Sequence, residues 1–175
     1  YEETVENGGV FGQDLDGDTK KGLVASSLDT VSTDTFGDSL KKDTSTGALY
    51  IVKESDGTVI EIKDQMGGNP QFDWSDSGGS GNWAWSYSSA AYAVEDYTTA
   101  SGETKYLLAV KGTDTFGGQS DTFWETYKIS QNSSTNEWQL DWSDATFSSS
   151  IGKKESIFGQ DMDGGGIWSL SCLLY

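Results

Sequence analysis

Apolar residues in this chain never line up at the 3.6-residue spacing of a helix over any useful length. They come in short runs, several of them alternating, bounded by Gly, Ser, Asn and Asp. Ala48–Lys53 and Val59–Lys63 are the clearest strands, and the Asp56-Gly57 between them predicts a hairpin. Trp83, Trp85 and Tyr87 alternate at period two, which puts all three on one side of a further strand. Ala90–Tyr97, Tyr106–Val110, Phe123–Ile129 and Trp138–Trp142 extend the series, with a polar turn over Gln131–Asn136 and a weaker strand within Leu23–Val31. The fold expected is all-β: an antiparallel meander of seven or eight strands, forming a sandwich or a half-barrel.

A chain of 175 residues holds one domain with a proper core. The net charge is −17 and every basic residue is Lys, with no Arg and no His. So acidic a surface repels phosphate backbones and anionic headgroups, which excludes nucleic acid as a partner and disfavours membranes. No apolar run approaches the ~20 residues that span a bilayer, so no membrane insertion is expected. The chain starts at Tyr1 rather than Met and shows no signal peptide, so a mature or trimmed product is expected. Its one cysteine, Cys172, rules out an internal disulfide framework and reads as a small buried hydrophobe. Asn132-Ser133-Ser134 is a glycosylation sequon on a turn.

One motif occurs twice, near the two ends: Phe11-Gly12-Gln13-Asp14-Leu15-Asp16-Gly17-Asp18 and Phe158-Gly159-Gln160-Asp161-Met162-Asp163-Gly164. Carboxylates one residue apart converge only in a tight turn, and Gly supplies the backbone angles for it. Asp14, Asp16 and Asp18 therefore read as calcium ligands at positions one, three and five of a loop, with the Lys20 carbonyl at seven. Ala25 stands where an EF-hand would close with Glu, so another segment must complete that site. The second copy offers Asp161 and Asp163. The alternative is an acidic turn whose Phe-Gly part packs as a plug. On this basis residues 1–10 form a leader or edge segment, 11–166 a Trp-rich β-domain bounded by the two loops, and 167–175 an apolar tail. The tail carries Ile167, Trp168, Leu170, Leu173, Leu174 and Tyr175, and must pair within the sheet or with a neighbouring subunit.

Tyr106–Gly112, Phe123–Tyr127, Glu137-Trp138 and the closing Glu155–Gly164 together resemble the tryptophan-rich Synechocystis species C-terminal domain family. That family closes with a segment like E-x-x-F-x-Q-D-L-N-G-D-G, and the resemblance spans roughly residues 8–166. It departs at Thr19, where Gly would stand, and at Gly165, where Asp would stand. The resemblance implies tandem units in large secreted or surface proteins of bacteria, and no defining catalytic activity.

Without His or Arg, no Ser-His, Cys-His or zinc centre can be assembled. Asp73 and Asp141, from the two copies of Asp-Trp-Ser-Asp, are the remaining conceivable carboxylate pair, though a repeated structural corner explains the repetition better. The function expected is non-enzymatic: a secreted, self-associating filament, sheath or adhesin repeat with calcium-stabilised loops. The rival is a carbohydrate-binding module recognising surface polysaccharide through Trp83, Trp85 and Tyr87. A core or subunit contact is the commoner use of such a ladder.

Overall fold

The computed structural model describes residues 28–33, 37–158 and 161–164. Asp14, Asp16, Asp18 and the assembly residues of the tail lie outside them.

Turn chemistry sets the strand pairing. At the Asp56-Gly57 hairpin, Gly57 adopts φ +73° and donates its N–H to the Lys53 carbonyl at 2.8 Å. Lys53 N–H in turn reaches Thr58 O at 2.9 Å, which closes β3 (Leu49–Val52) onto β4 (Val59–Lys63) as expected. At the polar turn after Gln131, Asn136 takes the left-handed position instead, with φ 60°. Gly117 and Gly118 both have positive φ and form the two-residue link between β7 (Thr104–Phe116) and β8 (Gln119–Gln131).

The fold is all-β, a single nine-stranded sheet in the order β1-β2-β3-β4-β9-β8-β7-β6-β5. The first meander comprises β1 (Asp29–Thr33), β2 (Ser39–Lys42), β3 and β4. The second comprises β5 (Trp74–Gly78), β6 (Trp85–Thr98), β7, β8 and β9 (Trp138–Ser148). They join where β4 and β9 run parallel, through Ile62↔Trp138 and Lys63↔Gln139. The sheet curls until β1 and β2 touch β6, giving the half-barrel rather than the sandwich.

Inside the curl, Leu40, Leu49, Ile51 and Ile62 meet Val94, Tyr106, Leu108, Val110, Ile129 and Leu140. Each such side chain contributes about 1.5–3 kcal/mol by leaving water. A second cluster covers the outer face. There α1 (Gly152–Phe158) and the residues on either side of it lay Ile151, Phe158 and Met162 against Leu107, Ala109 and Trp124. Lys111 Nζ sits 5.2 Å from the ring centroids of both Tyr92 and Trp124 on that face.

Several expectations are corrected. The described residues form nine strands rather than seven or eight, because Ser39–Lys42 pairs despite its two lysines and Trp74–Gly78 adds the edge strand β5. One junction is parallel. Two short runs fuse into the 14-residue β6, which absorbs a bulge between Ala91 and Ala93. Trp83 lies off the strand, in a 3₁₀ turn over Gly81–Trp83 that the Gly/Ser-rich segment allows.

Candidate functional site: an aromatic and acidic concave face

The long strands β6–β9 run past the region that β1–β4 cover. Their alternation continues, so the face that carries Ala91 and Val110 in the core carries Trp85, Tyr87, Gly112, Asp114 and Phe116 beyond it. Trp74, Asp76 and Gly78 on β5, and Asp121, Phe123 and Glu125 on β8, share that side.

Two glycines let rings lie across neighbouring strands. Gly78 pairs with Trp85, and a Cβ built there would stand 2.9 Å from the indole. Gly112 pairs with Phe123, whose ring occupies the space a Cβ would need. Phe123 thereby reaches Tyr87, stacked at 5.3 Å, and Phe147 stacks on its other side at 5.2 Å. Trp74 continues the row at 4.9 Å from Tyr87. Nearer the core, Phe72, Tyr127 and Trp142 form a triangle with centroids 5.2–5.4 Å apart. At the far end Trp83 meets Phe116 edge-on at 6.2 Å.

Much of this surface is open to water: Trp83 is 75 % exposed, Phe147 66 %, Phe116 55 % and Trp74 53 %. Trp85 and Trp142 are exposed as well, and Tyr87 is half-buried. Phe123, which links Tyr87 to Phe147, is itself buried, so the exposed rings cluster around it. Scattered exposed hydrophobics need no explanation, but exposed rings grouped in this way are the kind of surface that contact sites present. Asp76, Asp114 and Asp121 stand exposed among the rings, with Asp114 directly opposite Asp121 across the strand pair. Like charges so placed oppose pairing, which the fold offsets elsewhere. Tyr127 Oη donates to Glu125 Oε2 at 2.6 Å; burial first, then this acceptor, holds the phenol well above its ordinary value.

Of the expected glycan-facing residues, Trp85 and Tyr87 share the concave face and Trp83 reaches its rim through Phe116. They belong neither to the apolar core nor to a three-residue strand ladder. Sequence reading missed Trp74, Phe116, Trp142 and Phe147; the signal was the same alternation, carried through Gly78 and Gly112. Asp73 and Asp141 hold different partners: Asp73 pairs with Lys42, while Asp141 accepts from Ser143 N–H at 2.9 Å and Gln65 at 3.2 Å. The Ser143 contacts hold the Asp141 carboxyl below its usual range. Nor are the two Asp-Trp-Ser-Asp copies equivalent corners. One opens edge strand β5, and the other lies at a break in the β8–β9 register.

The closing acidic motif does pack as a plug, with Phe158 and Met162 buried on the sheet's outer face. Glu155 Oε1 accepts N–H bonds from Met162 (2.8 Å) and Asp163 (3.1 Å), and Gly164 donates to Asp161 Oδ1 at 2.7 Å. This turn brings Asp161 and Asp163 together with Glu155, a residue not expected at the site, one oxygen of each lying within 4.8 Å of the others.

Among the described residues, no helix is long and apolar enough to cross a membrane. No family model, curated protein or solved structure matches the chain.

Proposed function

We propose that this is a non-enzymatic extracellular adhesive domain that binds a neutral or basic polysaccharide across the concave face of β5–β9. The observation that carries the reading is the group of exposed rings, Trp74, Trp85, Phe116 and Phe147, clustered around the buried Phe123 with carboxylates among them. Sugar rings present C–H faces that stack on aromatics and hydroxyls that donate to carboxylates, and this surface offers both in register. Its strand residues include acids but no Lys, so an anionic polymer would be repelled. The extracellular placement rests on the motif resemblance and on the acidic, Lys-only charge. A glycan array with the wild-type chain and with Trp85→Ala and Phe147→Ala tests it. Binding to neutral or amino-sugar polymers, weakened about tenfold per ring, is expected. Absence of binding, or binding indifferent to both substitutions, overturns it.

A second reading, self-association into a filament or array, is favoured by β1 and β5 standing at the edges of the sheet among the described residues, since an edge strand is where an incoming strand adds. Docking two concave faces together is a poorer route, since it opposes one set of Asp residues to another. Electron microscopy of the purified chain decides: fibres lost on deleting residues 167–175 support assembly, and a monomer at every concentration removes it.

A further inference from the structure

We infer that Glu155, Asp161 and Asp163 form a calcium site that fastens the segment after α1 to the outer face of the sheet. Two independent observations meet here. The first is convergence: the three carboxylates each bring an oxygen within 4.8 Å of the others. Oxygens on one calcium ion lie at ~2.3–2.6 Å from it, so ligands on opposite sides are about 5 Å apart and the spacing fits a single shell.

The second is a buried, unsatisfied oxygen. Glu155 is fully buried, and its Oε1 already serves the amides of Met162 and Asp163. Its Oε2 is also buried and has no hydrogen-bond partner among the described residues. A buried carboxylate oxygen left without a donor is costly, and a hard cation satisfies it while offsetting the mutual repulsion of three carboxylates. Lys154, next to Glu155 in α1, donates its Nζ to Thr126 Oγ1.

Calcium suits the site better than magnesium. The three protein ligands are all carboxylate oxygens, one from α1 and two from the bend at 161–164, whereas magnesium demands near-ideal octahedral geometry and keeps its waters. Backbone carbonyls and water complete the calcium shell. Phe158 and Met162 flank the ligands and insert into the cluster around Trp124, so binding and docking of this segment are one event. The assignment is independent of the saccharide reading, because the site lies on the opposite face of the sheet.

The experiment is equilibrium dialysis with calcium on the full chain after chelation, at about 0.1 M KCl to screen loose counter-ions. Thermal melts are run in parallel. Wild type binds calcium and melts roughly 5–10 °C higher at saturation. Glu155→Gln keeps an oxygen for the two amides but binds one ion fewer than wild type. Asp163→Asn, at an exposed position, gives the same loss should Glu155→Gln fail to fold. Stoichiometry unchanged in a folded variant, or no calcium bound by wild type, overturns the site. Retention of ions at Asp14, Asp16 and Asp18 would not mask the result, since the reading is the difference of one.

Discussion

Strand β7 has two halves that differ on the same face. Tyr106, Leu108 and Val110 are sealed under β2–β4, whereas Asp114 and Phe116, further along the same alternation, stand in water. Length explains the division. At ~3.3 Å per residue the 14-residue β6 is about 45 Å long, while the 4–5-residue strands of the first meander reach only about 15 Å. A core needs only what the short strands can cover. The rest of the long strands remains a two-faced sheet, and its composition changes from aliphatic to aromatic and acidic where cover ends. The covered core and the open aromatic face thus occupy successive stretches of the same strands.

The comparison can be broken by substitution. Leu108→Ala in the covered half should lower stability by about 2–5 kcal/mol in urea unfolding, while Phe116→Ala in the open half should change it by less than about 1 kcal/mol. Equal losses would mean that the open half is covered in solution. Gly112→Val, at the boundary, should cost about 1–3 kcal/mol by displacing the Phe123 ring, and should disrupt the row reaching Phe147.

Alkaline titration of the tyrosines probes the covered half. Burial first, and the Asp96 charge second, push the Tyr106 phenol from 10.0 up to about 12, and Tyr127 is raised as well. Between about pH 10 and 12 the unfolded chain releases these protons while the folded one keeps them. The contribution of these two phenols is therefore constant below about pH 10 and falls as pH rises through that window. Tyr106→Phe should flatten the fall in melting temperature. The smallest effect is expected at the exposed Lys128–Asp144 pair, where Asp144→Asn should shift stability by no more than about 1 kcal/mol and less in high salt.

Local chemistry was legible wherever one signal was unopposed. The β3–β4 hairpin has β-branched alternation and an Asp-Gly turn, and it lies where both point. β2 was hidden because Ser39-Leu40-Lys41-Lys42 has a single apolar residue, and burial of Leu40 is a tertiary event. The reach of β6 was obscured by its Ser/Ala run, which has little intrinsic strand preference. Trp83 fitted the alternation but not the Gly-Ser punctuation before it. At the acidic motif, Asp161 and Asp163 could be read from spacing alone. Glu155 could not, because a two-turn helix returns it to the loop.

The junction between the meanders carries one further consequence. Only two residue pairs stitch β4 to β9, so the halves cohere chiefly through the interior that they share. The link from Lys63 to Trp74 passes through Met66, which is 94 % exposed. Covalent continuity there is dispensable in principle: a chain nicked at Met66 should hold together, and its two fragments, prepared separately, should find each other and restore the native sheet.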